Sequence, residues 1–133
     1  MRHNDSHKFE SEFIGLTIPE NNSVMFGSLS GSKLGIWVAH GEGKFELPYD
    51  KERYNVIAQY SYDAYPANPN GSPWSVAGVC SKDGRHLAMM PHPERAIFPW
   101  QCGYYPADRK ENDEVTPWIE AFVNARKWIE NNK

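Results

Sequence analysis

No block of basic residues longer than a pair occurs in the 133 residues, and the net charge is −3, from 14 Lys and Arg against 17 Asp and Glu. A phosphate backbone is bound by clustered cations, so nucleic acid is not an expected partner. The same shortage excludes a polybasic membrane anchor. No apolar run approaches the ~20 residues needed to span a bilayer. The start, "MRHNDSHKFESEF", lacks the apolar stretch of a secretory leader. Two cysteines are too few for a disulfide framework. They fit reduced thiols and a cytoplasmic compartment. Internal repeats and low-complexity segments are absent as well.

What is present suits one ordinary domain with a real core. Ten prolines and ten glycines imply long, shaped loops. "SEFIGLTI" (11–18), "KLGIWVA" (33–39) and "YNVIAQYSY" (54–62) have the length and residue types of strands. "PENNSVMFGSLSG" (19–31) reads as a short helical turn with a glycine-rich exit. "SVAGVCS" and "RHLAMM" read as two strands joined through "KDG", with glycine at the left-handed position. "DAYPANPNGSPW" (63–74) cannot be regular, because three prolines and an Asn-Gly pair break it. The one long helix is expected after Thr116 as N-cap and Pro117 at its first position. Its core face is expected to carry Trp118, Phe122, Ala125 and Ile129, widened by Ile119 and Val123. Strands outnumber helices, which is odd for a complete α/β domain, where each parallel strand needs a crossover helix.

"MMPHPERA" (89–96) carries the first chemical signal. Pro91 and Pro93 bias Met90 and His92 toward extended backbone. Residues two apart on an extended chain project to one side, so His92 and Glu94 are expected together. A histidine beside a carboxylate supplies the base and the orienting group of a catalytic triad. On spacing alone, a polar histidine in a surface loop fits equally well. A nucleophile belongs on a tight strand-to-helix elbow between small residues. Cys80 has Gly78 two before it, but Lys82 stands where a second small residue is required, and a hairpin follows. It reads as a buried strand residue. Cys102 has Gly103 beside it and no strand before it, and it reads as inert. Ser72 and Ser75 lie in or beside the proline-rich loop, without an elbow.

Metal binding has weak support. His3 and His7, with Asp5 between them, would need a helix, and Asn4, Asp5 and Ser6 form helix poorly. His40, Glu42, His92 and Glu94 could gather around a divalent ion, but nothing in their spacing demands it. "HGEG" (40–43) follows a buried strand. Ligands collect beyond the carboxyl ends of strands in open α/β sheets, so His40–Gly43 and His92–Glu94 are candidates for one crevice. A glycine-rich turn with solvated side chains is the alternative.

"RHNDSHKFES", "VAHGEGKF", "YPANPNGSPWSVAGV", "MMPHPERA" and the closing "PW…FVNARKW" occur in order and at suitable distances. Together they resemble the C-terminal end of the phosphoribosylformylglycinamidine synthase family, glutamine-dependent ligases of purine biosynthesis. The resemblance runs from about Arg2 to Trp128. It implies the C-terminal half of a flavodoxin-like, class I (triad) glutamine amidotransferase domain, strand-rich with one long C-terminal helix. It assigns His92 and Glu94 as catalytic histidine and glutamate. Likeness to the wider class assigns the backbone of His40, Gly41 and Glu42 to the amino-acid end of glutamine.

The family's nucleophile is a cysteine in a G-x-C-x-G elbow upstream of the segment resembling "RHNDSHKFES". Residues 1–133 are therefore expected to be a partial domain lacking that cysteine and to be inactive alone. The implied partners are glutamine and the remainder of the same polypeptide. ATP and Mg belong to its synthetase part, and no cofactor is expected in this segment. A separate glutaminase subunit remains an alternative, as does a non-catalytic docking module.

Overall fold

A computed structural model describes residues 1–133. Five strands form one sheet in the order β2-β1-β3-β4-β5, with β1 Glu10–Thr17, β2 Lys33–His40, β3 Asn55–Tyr60, β4 Val76–Cys80 and β5 Leu87–Met89. Each element predicted as a strand is one, within two residues at its ends. Every neighbouring pair is antiparallel. Antiparallel neighbours need no crossover helix, which accounts for the scarcity of helices within these residues. Short α1, Ala107–Lys110, and the long helix α2, Ile119–Asn131, complete the α/β architecture.

Alternation along the order makes β2, β3 and β5 run in one direction. Their carboxyl ends therefore point to the same end of the sheet, where β1 begins. This topology sends four loops that way: residues before Glu10, the turn after His40, the loop after Tyr60 and the segment after Met89. Register shifts between Val56 and Ala58 and between Ala58 and Gln59 interrupt the β3–β4 ladder. Such bulges sharpen strand twist, and the sheet curls. The curl brings the segment after β5, one edge strand, back onto β2, the other. The backbone N–H of His92 donates to the carbonyl of Trp37 at 2.9 Å.

The core gathers Leu16, Ile36, Val38, Ile57, Ala58 and Tyr60 from the sheet with Phe26, Leu29, Trp118 and Ala121. Glycine at the left-handed position of the β4–β5 turn is borne out, with Gly84 at φ +77°. α2 starts two residues later than expected, with Trp118 rather than Thr116 at its N-cap. Thr116 shapes the turn before it, its Oγ1 accepting the Trp118 N–H at 3.3 Å and its carbonyl the Ile119 N–H at 3.2 Å.

The expected core face of α2 needs correction. Trp118 and Ala121 are buried, whereas Phe122, Val123 and Ile129 are exposed by 38, 39 and 56%. The helix is anchored through Trp118 at its N-cap and then by Asn124. The Trp118 Nε1–H donates to the Gly35 carbonyl at 2.9 Å, and its ring meets Phe26 edge to face at 5.8 Å. Asn124 Nδ2 donates to the Met25 carbonyl at 3.1 Å. These three contacts set the rotation of α2 and turn half of the predicted stripe, Phe122, Val123 and Ile129, outward.

Candidate functional site

His92 follows β5 by three residues and opens a 3₁₀ turn at Pro93–Arg95. Pro93 suits the first position of such a turn, because its missing N–H would have no partner there. The turn closes with Arg95 N–H on the His92 carbonyl at 3.1 Å. The predicted juxtaposition holds, although a turn rather than extended chain produces it. His92 Nδ1 and Glu94 Oε1 are 2.7 Å apart. A carboxylate only accepts, so Nδ1 carries the proton and Nε2 is left free to take one. The His92 side chain is 27% exposed and Glu94 55%. Arg95 Nε stands 4.0 Å from the same Glu94 oxygen. An exposed pair of this kind adds little stability, so its value lies in orienting the ring.

The "HGEG" turn leaves the end of β2 and is held by side chains far away in sequence. Asn4, fully buried, donates from Nδ2 to the carbonyls of His40 at 2.7 Å and Lys8 at 2.9 Å. Its Oδ1 accepts the Gly43 N–H at 3.0 Å. The Asn4 N–H donates to the Gly41 carbonyl at 2.9 Å. Asn70, also fully buried, donates to Asn4 Oδ1 at 2.7 Å and accepts from the Tyr60 hydroxyl at 2.7 Å. Its Nδ2 lies 2.9 Å from His40 Nδ1. A methyl at position 43 would collide with the His40 ring and the Asn70 amide, so this turn needs glycine there.

Of the residues assigned to glutamine, His40 is buried at 7% exposure. Its proton affinity lies below the usual value because burial disfavours the charged ring, and the nearby His92 adds to this. His40 Nε2 is buried and has no hydrogen-bond partner. Such a group costs about 1–3 kcal/mol. Gly41 offers its carbonyl to Asn4. The Glu42 side chain is 70% exposed and faces His3 at 3.5 Å.

None of the discounted nucleophiles gains support from its surroundings. Cys80 is a buried strand residue within the core. Cys102 is partly buried, and burial raises its thiol above the usual range, away from reactivity. Ser72 Oγ accepts the Phe45 N–H at 3.0 Å. Ser75 Oγ donates to Asp63 at 2.7 Å. His3, Asp5 and His7 lie outside any helix, and Asp5 pairs with Lys44 at 2.6 Å. No group of three or more His, Cys, Asp or Glu side chains is placed to hold a metal ion.

Asn4, Asn70 and Tyr60 carry no functional signal in the sequence. Both asparagines lie in the motifs "RHN" and "NPNG", but asparagine beside glycine or proline reads locally as turn chemistry. Burial and a partner 66 positions away leave no local trace.

Residues 1–129 match the family model of the CobB/CobQ-like glutamine amidotransferase domain. The chain belongs to that family. It is 43% identical over 142 residues to the probable phosphoribosylformylglycinamidine synthase, chloroplastic/mitochondrial, of Arabidopsis thaliana. That alignment takes in 97% of this chain and 10% of the relative. It is 40% identical over 140 residues to phosphoribosylformylglycinamidine synthase of Homo sapiens, with 96% and 10% covered. The chain thus spans about a tenth of the length of these curated relatives. Among solved structures, PurLQS from Thermotoga maritima superposes with a TM-score of 0.72 at 26% identity, covering 96% of this chain and 51% of that one.

Proposed function

We propose that this amidotransferase segment is the histidine–glutamate half of a glutaminase site in a phosphoribosylformylglycinamidine synthase. The observation that carries the reading is the His92 Nδ1–Glu94 Oε1 hydrogen bond of 2.7 Å, in a chain of the glutamine amidotransferase family. In this reading a cysteine thiolate, supplied from outside residues 1–133, attacks the side-chain amide of glutamine. A glutamyl thioester forms and ammonia leaves. His92 takes the thiol proton at Nε2 and delivers it to the departing nitrogen. Glu94 holds the ring with Nδ1 protonated and stabilises the imidazolium. Water then releases glutamate. The backbone of His40, Gly41 and Glu42 meets the amino-acid end of glutamine. The ammonia serves the ATP- and Mg-dependent amination of formylglycinamide ribonucleotide in a synthetase part of the same polypeptide, in the cytoplasm.

Support for a missing partner half comes from the comparison with PurLQS, of which this chain covers only 51%. The test is glutamate release from glutamine by purified residues 1–133 and by the complete polypeptide that carries them. Release by the complete polypeptide alone is expected, because a triad acts as a unit. Release by residues 1–133 at an ordinary enzymatic rate, lost on Cys80→Ser, would place the nucleophile inside this chain and overturn the reading.

A further inference from the structure

The orientation of the two buried asparagines follows from their partners. Asn4 Nδ2 faces two backbone carbonyls, of His40 and Lys8. Carbonyls only accept, so this end of Asn4 is the amide nitrogen and its other end is oxygen. That oxygen takes the Gly43 N–H and one Asn70 N–H. The Asn70 end beside it is therefore nitrogen, and the same nitrogen faces His40 Nδ1 at 2.9 Å. An amide nitrogen cannot accept, so His40 Nδ1 is unprotonated and the ring proton sits on Nε2. The Tyr60 hydroxyl closes the chain by donating to Asn70 Oδ1 at 2.7 Å. Every donor and acceptor of this cluster is satisfied except His40 Nε2, which is buried and unpartnered.

We propose that Tyr60, Asn70 and Asn4 are positioning residues for glutamine. They form a buried relay that shapes the 40–43 turn and holds His40 as a neutral ring with a free Nε2–H. The inference rests on the reading of that turn as the seat of the amino-acid end of glutamine. Three segments meet in the relay: Asn4 comes from before β1, His40–Gly43 from the end of β2 and the turn after it, and Asn70 from after β3. Loop backbone is mobile unless tied down. Here each backbone group of the turn that faces Asn4 is bonded to it, at Gly41 O, Gly43 N and His40 O. Asn70 acts one step removed, through Asn4 and the His40 ring. A change at Tyr60 or Asn70 therefore reaches substrate only through the turn.

The experiment is steady-state kinetics of the complete polypeptide, with glutamine or ammonium chloride as nitrogen source, on Asn70→Asp and Tyr60→Phe. Asn70→Asp replaces the donor facing Asn4 and His40 with an acceptor. We expect KM for glutamine to rise about 10-fold or more, with kcat within about 2-fold. Tyr60→Phe removes one hydroxyl, and a rise of about 3-fold is expected. Ammonium-driven synthesis should not move in either variant. If Asn70→Asp does not fold, as judged by circular dichroism, Tyr60→Phe decides alone. An unchanged KM for glutamine in the folded variants overturns the proposal. A joint fall of glutamine- and ammonium-driven rates also overturns it, because that marks a merely structural role. His92→Ala in the same series separates the two levels. If His92→Ala lowers both activities, the glutaminase reading itself fails. If it spares ammonium use while the Tyr60 and Asn70 variants leave KM unmoved, only the relay fails.

Discussion

The His92 N–H and the Trp37 carbonyl, 2.9 Å apart, join the segment that follows one edge strand, β5, to the other edge strand, β2, of a five-stranded sheet. Two residues earlier on β2, the Gly35 carbonyl accepts the Trp118 Nε1–H at 2.9 Å. Carbonyls two apart on a strand point to the same side, so both bonds cap the outer edge of β2. An edge left with unpaired groups invites wrong pairing. Here the cap is made by the catalytic candidate's own backbone and by Trp118 at the N-cap of the C-terminal helix, and it fixes His92 against the strand that ends in His40.

Trp118 is consequently the side chain whose loss should cost most. It is 1% exposed, packs on Phe26 and carries one of the two edge bonds. Trp118→Ala should destabilise the chain by about 3–5 kcal/mol, and Trp118→Phe by less. Urea unfolding followed by far-ultraviolet circular dichroism measures both. A loss under about 1 kcal/mol for Trp118→Ala would show that α2 contributes nothing to closing the sheet.

His40 should give the fold a dependence on pH. Burial lowers its pKa from 6.5, so the unfolded chain binds the proton more readily than the folded one. The stabilisation is present above about pH 6.5 and is lost as pH falls through the lower folded value. Glu12 works in the opposite sense, because burial and Glu10 raise its pKa from 4.5. The difference in melting temperature between the parent chain and His40→Gln, from pH 7.5 to 5, cancels the Glu12 contribution. The parent should lose more stability on acidification than the variant. Parallel curves would mean that the ring is not held neutral.

Much of this arrangement is legible in the amino-acid order. The dyad is readable from its spacing beside Pro91 and Pro93, although proline places it through a 3₁₀ turn rather than extended chain, and Cys80 is readable because a strand running into a hairpin offers no elbow. The strands are readable from β-branched and aromatic runs. The seam between Trp37 and His92 is not, because the curl arises from twist and bulges in β3 and β4. The relay leaves no sequence signal, because its two asparagines are 66 residues apart and each looks like an ordinary loop residue. The face of α2 is misread for a related reason. Periodicity marks Phe122, Val123 and Ile129 as apolar, but Trp118, Ala121 and Asn124 determine which way the helix turns.

Those outward residues carry a prediction of their own. Phe122, Val123 and Ile129 are exposed, as are Trp100 at 73% and Tyr104 at 74%. Apolar surface of this kind drives association in water. Residues 1–133 in isolation should self-associate as concentration rises, and Phe122→Lys with Ile129→Glu should reduce it. Light scattering across a concentration series tests this. A monomer at every concentration would show that these side chains form no cohesive surface.

We propose that His92 serves only the step that makes ammonia. In the complete polypeptide, His92→Ala should lower glutamine-driven synthesis by about 100-fold or more and leave ammonium-driven synthesis largely intact. Glu94→Gln should show the same pattern less severely, because it orients the base and transfers no proton. The measurement is the ratio of the two rates in each variant. A ratio that collapses in His92→Ala is the predicted result. Equal loss from both nitrogen sources would contradict the account and leave His92 as a residue that merely holds the seam of the sheet.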